Sequence, residues 1–543
     1  MNRWIGLGLQ AAILACSTSA PILPAAGDTP PPPPSPSPVS TARHYVLISD
    51  LHFGPGRRED GSWDPIDDFR WPRALRGFLD YISTWGHDEV DLVILGDFFE
   101  LWQHPEISCA SVDPDFGCTT LEMKKVVKRI LNKHHPELES LWAFAEKGRN
   151  RLVVVPGNHD AALLSDAIWE QVSQSIGHPN ARVRRSTDGY WSSEDGFILG
   201  EHGHQIGIDV SGFGGLWPAG FRRDASAAYP RPWGQLFVES FFDTAEITYP
   251  IIDNVIPQSK GVAMLLQGQT VAADASQVAR FLAFNAVRTS LKQKVVLNIP
   301  TPESQSAALT ETHGWDVSKG RSLGYKLFAD ALPDGDWWRD ELLGGEGAYW
   351  NSVREELTAI AGNANKLTTP QVVTLCDRIS LLAKEQPETK RATCSSELAL
   401  SVASSVIPEA TILASHLNDL RPTYPNAGIF VYGHTHEMAM KFNIKLKGGR
   451  SIDVLNTGAF QRLTDVESLK VLQTDRHLST DLDVLKLSSE DLKPCYSAVL
   501  IEYHGRDPDP VLKYWYMAEE DNEGKLLDPC DAKCPRIAKK CGG

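Results

Sequence analysis

Gly433-His434-Thr435-His436 places two imidazoles one residue apart, directly after the apolar run 429–432. That run is short and rich in β-branched and aromatic side chains, so it reads as a buried strand whose histidines leave its end in a turn. Imidazole is the commonest nitrogen ligand of transition metals, and two of them so spaced reach two neighbouring ions if oxygen ligands converge from elsewhere. Alone, the pair also fits ordinary surface histidines. Four other strand-like runs end in matching chemistry: 45–48 leads to Asp50 and His52, 91–95 to Asp97 and Glu100, 151–155 to Asn158, His159 and Asp160, and 196–200 to Glu201, His202 and His204. In sheets with helical crossovers, ligands collect at the carboxyl ends of the strands.

Taken in order, these segments resemble the signature of the calcineurin-like metallophosphoesterases: D-x-H, G-D-x-x-[DEY], G-N-H-[DE], an H-G-H type segment and G-H-x-H. The resemblance implies an α/β fold, a two-sheet β-sandwich flanked by helices, with two divalent metal ions held by its loops. It implies one ion on Asp50, His52, Asp97 and His436 and the other on Asp97, Asn158, His202 and His434, with Asp97 bridging. Physical chemistry asks for the same thing. Paired cations repel, and a shared carboxylate offsets this at the roughly 3.5–4 Å typical of two-metal sites. A bound water with its pKa drawn towards neutrality then attacks phosphorus, and no protein nucleophile is needed.

The leaving alcohol needs a proton, and His159, an imidazole one residue from Asn158, is the candidate donor. Glu100 stands where the family often carries an acidic residue that orients this histidine; a solvated or salt-bridged carboxylate is the alternative. His204 fits a phosphate contact, a support behind the ligands, or a structural loop residue. All proposed ligands offer N or O, which suits Mn, Zn or Fe without choosing among them. Purple acid phosphatases, which are relatives, carry a tyrosine where this chain has Glu100 and a glycine where it has His52. Both departures argue for two divalent ions.

The elements that must position these residues can be read along the chain. Helical spacing of apolar residues marks 69–85, 121–147 with a break at His134-His135-Pro136, and 161–176 directly after the Asn158 loop. Strand patterns at 452–455, 497–503 and 511–516 are expected to supply a second sheet. The metallophosphoesterase core thus falls in 42–204 and 428–516. Between them, 205–427 is a large insertion, read as a mainly helical cap with helices at 350–361 and 370–384, and substrate choice resides in such insertions. Within it, 249–267 reads as a buried helix pair or as an acyl pocket or bilayer contact. The 207–215 segment matches no phosphate-loop spacing.

The 543 residues carry a net charge of −16 and are 42% hydrophobic. That is ample for a large core, and it argues against a broad nucleic-acid-binding surface. Residues 1–26 read as an export signal, with an apolar stretch shorter than the roughly 20 residues that span a bilayer. It ends either in a lipoprotein box with Cys16 lipidated, giving a membrane tether, or at a conventional cut near Ala20 or Ala26. The linker 27–41 holds a proline run at 30–38, a semi-rigid extended spacer. Apart from Cys16, the nine cysteines leave Cys109, Cys118, Cys376, Cys394, Cys495, Cys530, Cys534 and Cys541. An even number in an oxidising compartment reads as disulfides, Cys109 with Cys118 and Cys376 with Cys394 by proximity. Connectivity among the last four, three of them in the tail 517–543, stays open, as does a zinc site there.

The expectation is therefore an exported hydrolase of the bacterial periplasm or envelope that cleaves a phosphate ester or anhydride in a small-molecule or lipid substrate. Gly96 to Trp102 is also similar to UDP-diacylglucosamine pyrophosphohydrolases, which leaves an envelope lipid-phosphate or nucleotide-sugar enzyme as the alternative, and a non-catalytic binding module behind it.

Overall fold

A computed structural model describes residues 43–256, apart from short stretches within 105–115, 177–179, 207–211, 223–226, 233 and 236–237, and residues 409–536 apart from 421, with a few single positions between. Cys16, the proline run, the Cys376 and Cys394 pair, Cys541 and the helical patterns at 350–361 and 370–384 lie outside the described residues.

The chain opens with β1 (His44–Ile48), α1 (Pro72–Trp85), β2 (Val90–Leu95), β3 (Phe116–Thr119), α2 (Thr120–Lys133), α3 (His135–Glu146), β4 (Arg151–Val155), α4 (Asp166–Ser173), β5 (Val183–Arg185), β6 (Tyr190–Ser192) and β7 (Ile198–Glu201). Then come β8 (Ala228–Pro230), β9 (Val255–Ile256), β10 (Ile429–Tyr432), β11 (Ala439–Lys445), β12 (Ser451–Asn456), β13 (Thr464–Asp465), β14 (Cys495–His504), β15 (Asp507–Tyr516) and β16 (Lys525–Leu527). A seven-stranded mixed sheet has the order β16-β15-β14-β1-β2-β4-β5, and a five-stranded one the order β11-β12-β10-β7-β6.

What positions the site is parallel register. β1, β2 and β4 run parallel, with Ile48 beside Ile94 and Leu95 beside Val155, so their carboxyl ends lie side by side. In the other sheet β7, β10 and β12 do the same, with Val431 beside Gly200 and Tyr432 beside Asn456. Strand alternation divides the core. Val46, Ile48, Leu92 and Ile94 join a cluster with α1, α2 and α3, whereas Tyr45, Leu47, Val93 and Leu95 share one with Ile198, Ile429, Val431 and Leu455 of the five-stranded sheet. Leu199, Phe430, Tyr432 and Val454 pack with Leu413 and Leu417 of the helix Glu409–Leu420. Each such buried aliphatic side chain contributes roughly 1.5–3 kcal/mol.

The helices begin where their sequences dictate. α1 starts at Pro72 rather than at Phe69, because proline's fixed φ and missing N–H suit a first turn. It buries Ala74, Leu75, Phe78, Leu79 and Ile82 on one face. α2 starts on a capping box in which Thr119 and Glu122 bind each other's backbone N–H. The long pattern at 121–147 is two helices, α2 and α3, parted at His134 by Pro136. After Asp160 the expected helix is a 3-10 turn, Ala161–Leu164, and only then α4.

Three expectations need correction. β14 and β15 extend the first sheet, β14 pairing antiparallel with β1, and of the three strands expected there only β12 joins the second. Within 249–267, residues 249–256 form turns and β9 rather than a helix: Ile251, Ile252 and Val255 are buried against Leu469, Val484 and Leu485, and β9 pairs with β13. The C-terminal cysteines do not form a zinc site through Cys534, which is disulfide-bonded to Cys495. Cys109 and Cys118 are bonded as expected. Among the described residues, no helix is long and apolar enough to cross a membrane.

His134 sits fully buried at the α2–α3 break, stacked on Phe53 with Nε2 3.1 Å from Asp67 Oδ2. Burial lowers its pKa, but the Asp67 charge and hydrogen bond, with Glu137, outweigh this and raise it from 6.5 to about 9. A group that binds its proton more tightly when folded stabilises the fold fully below its unfolded pKa, and that gain is lost as pH rises through the folded one. The shift corresponds to ~3 kcal/mol at about 1.4 kcal/mol per unit. In urea unfolding, the stability advantage of the native chain over His134→Gln should therefore shrink by about this amount between about pH 6 and pH 10; a difference that does not change with pH contradicts the assignment.

Candidate metal centre

Asp50, His52, Asp97, His434 and His436 all adopt left-handed backbone conformations, with φ of 53°, 50°, 49°, 69° and 57°. Non-glycine residues avoid this region, and it persists only where surrounding structure enforces it, most often at functional sites. The enforcement is visible. The loops after β1 and β2 are zipped together by Asp50 N–H to Gly96 O at 3.1 Å, His52 N–H to Asp97 O at 2.9 Å and Phe53 N–H to Phe98 O at 3.0 Å. Gly433 N–H donates to His202 O at 2.8 Å and ties the β7 and β10 loops. At Gly157 a Cβ would overlap Asp97 Oδ1, so only glycine lets this loop pass.

The turns bring together every residue read from the sequence as a ligand. Asp50, His52 and His436 form one group of potential ligand atoms within 4.8 Å of one another, and Asp97, His202 and His434 form another. His436 Nε2 lies 3.3 Å and His52 Nε2 3.8 Å from Asp50 Oδ1. Asp97 Oδ2 stands between the groups, 3.0 Å from His202 Nε2 and 3.7 Å from His52 Nε2. Asn158 Oδ1 is 2.8 Å from His202 Nε2. Asp50 is held in turn by Ser49 Oγ–H and by His434 N–H at 3.1 Å.

These residues fit a pair of cations. Asp50 Oδ1 and His52 Nε2 are buried without a hydrogen-bond partner, a costly arrangement unless a metal takes the lone pairs. The remaining ring nitrogens are occupied from behind: His202 Nδ1 is 2.8 Å from Leu95 O and His52 Nδ1 is 2.8 Å from Glu100 Oε2. An N–H pointing at each of these oxygens fixes the tautomer that leaves Nε2 to coordinate. Burial raises the pKa of Asp97, but the charges of His202 and His159 outweigh it and hold the carboxyl well below its usual range. Burial lowers His202, while Asp97 and Asp50 raise it to about 9. Without metal, protons on His52 and His202 balance the carboxylates, so cations must displace protons and bind more tightly as pH rises.

Glu100 and His159 lie together at the rim. Glu100 is buried, so it is not a solvated carboxylate; its Oε2 is 2.8 Å from His52 Nδ1 and 2.5 Å from His159 Nδ1. Its Oε1 accepts from Trp102 N–H at 2.8 Å and Gln103 N–H at 3.2 Å. Trp102, to which the sequence reading gave no role, stacks on His159 with ring centroids 3.7 Å apart. Asp160 was likewise missed: its carboxylate takes Gly157 N–H at 2.6 Å and Phe98 N–H at 2.8 Å, clasping the β2 and β4 loops. His204 belongs to neither ligand group; it is buried, 5.4 Å from the His202 ring, and packs edge-on to Trp217 at 4.3 Å.

No protein-family model and no curated protein matches the chain. Among solved structures, a crystal structure of a dimetal phosphatase from Danio rerio matches over 90% of this chain and 99% of that chain, at 10% identity and a TM-score of 0.25. A likeness this low carries no argument; the site's own geometry does.

Because Asp97 adjoins both groups, Asp97→Ala should lose both ions. Elemental analysis of the purified variant checks this, and two metals retained per chain would refute the shared position.

Proposed function

We propose that this chain is a metal-dependent phosphoesterase, a hydrolase that cleaves a phosphate ester or anhydride. The observation that carries the reading is the Asp97 carboxylate set between two His/Asp groups, with a Glu100–His159 pair 2.5 Å apart alongside. The resemblance to calcineurin-like metallophosphoesterases read from the sequence motifs agrees with it. So does the shared core of the two sheets, which we read as the two layers of a sandwich with 205–427 as its cap.

Asp50, His52, Asp97 and His436 would hold one divalent ion and Asp97, Asn158, His202 and His434 the other, with Mn, Zn and Fe all suited to these donors. Bound there, such ions lower the pKa of a coordinated water and neutralise charge on phosphoryl oxygens. Around them the chain has defined tasks. Glu100 and the Leu95 carbonyl aim His52 and His202. Asp97 would lie against both ions at once. With Nδ1 held by Glu100 and the ring face by Trp102, His159 has Nε2 left to hand a proton to the departing oxygen. Ser49 is no nucleophile in this scheme: its hydroxyl is tied to Asp50, Thr457 and the Gly458 carbonyl.

The substrate is a phosphorylated small molecule or lipid, and the proposed setting is the bacterial periplasm or envelope. The signal-like 1–26 segment supports export, with Cys16 as a membrane tether, and so do the disulfides Cys109–Cys118 and Cys495–Cys534, which persist in oxidising compartments. His159→Ala should lower kcat on an aryl phosphate by roughly 10²–10⁴-fold while both ions stay bound. Unchanged turnover in the metal-loaded variant would remove His159 from the chemistry.

A further inference from the structure

Outside the His/Asp cage, Asp68, Glu246 and Asp253 bring three carboxylates together with their ligand oxygens within 4.8 Å of one another. Asp68 and Glu246 are buried, at 8% and 1% exposure. Apart from His52, the charged groups that act most strongly on Asp68 are the carboxylates of Asp253, Glu100 and Asp67, and those that act on Glu246 are Asp68, Asp253, Asp243 and Glu100. Burial first, and then these like charges, push both carboxyls up. Like-charged carboxylates this close need protons or a cation between them.

A second observation points to the cation. Asp68 Oδ2 is buried without a hydrogen-bond partner. So is Oε1 of Gln103, a side chain only 4% exposed whose Nε2 donates to Glu246 Oε2 at 2.5 Å. One shared proton meets only one of these two oxygens at a time. A hard cation satisfies both. The donors are all oxygen, unlike the imidazole-rich cage. A cluster of this span suits calcium, with oxygens at about 2.3–2.6 Å, better than magnesium, which demands about 2.0–2.1 Å.

We propose that Asp68, Glu246 and Asp253, with the Gln103 amide oxygen, form a third metal site that takes calcium. It joins separate parts of the chain: Asp68 follows the β1 metal loop, Gln103 follows Glu100, and Glu246 and Asp253 belong to the segment between β8 and β9. The ion fastens that segment to the loop whose Glu100 receives His52 and His159.

The test counts ions. The chelated protein is loaded with manganese, dialysed against calcium chloride and analysed for both elements, beside a D68N/E246Q double variant. The native chain should hold one more calcium than the variant at equal manganese content, and calcium should raise the melting temperature of the native chain alone. Equal calcium in both, or a variant as stable as the calcium-loaded native chain, overturns the proposal. Should the variant not fold, calorimetric titration of the native manganese-loaded protein with calcium alone decides, and absence of a saturable single site overturns it. A chain that takes up this calcium but no manganese keeps the third site and removes the dinuclear reading, so the two fail separately.

Discussion

Asp50 and Asp97 are buried carboxylates in direct reach of one another's histidine partners, and the whole arrangement depends on something positive lying between them. Removing a carboxylate from water is expensive unless it is paired and hydrogen-bonded. Here the pairing comes from imidazoles whose outer nitrogens are already committed to Leu95 O and Glu100. Those commitments direct the inner nitrogens at the carboxylates, so the cage is built for cations whether protons or metal ions fill it. A hydrophobic core of the same volume would be easier to fold.

The backbone around the cage expresses the same constraint. Parallel strands from two sheets end at one place, and a chain leaving a strand end must turn sharply to keep its side chains there. The left-handed conformations at Asp50, His52, Asp97, His434 and His436 are that turn made by residues that disfavour it. Buried cores beneath both sheets, and loop-to-loop hydrogen bonds such as His52 N–H to Asp97 O, supply the stability that holds them.

Much of this was legible in the sequence because strand ends followed by ligand-type residues are local patterns. β1, β2, β4, β7 and β10 are each marked by an apolar run, and the candidate ligands are the residues that follow. What escaped was non-local. Strands β14 and β15 alternate like any others, and nothing in their residues says that β14 pairs with β1 rather than with the second sheet. Asp160 looks like one more acid in a motif until its carboxylate is seen clasping two loops. Nothing in the sequence gives Trp102 a role until its ring lies on His159. Asp68, Glu246 and Asp253 are scattered in the chain, and only folding makes them neighbours.

The central claim is that two cations share Asp97, and anomalous diffraction from crystals of the manganese- or zinc-loaded protein tests it most directly. The account predicts two peaks roughly 3.5–4 Å apart, one beside Asp50, His52 and His436, the other beside Asn158, His202 and His434, with the Asp97 carboxylate between them. A single peak, or none within reach of Asp97 in fully loaded protein, would contradict it.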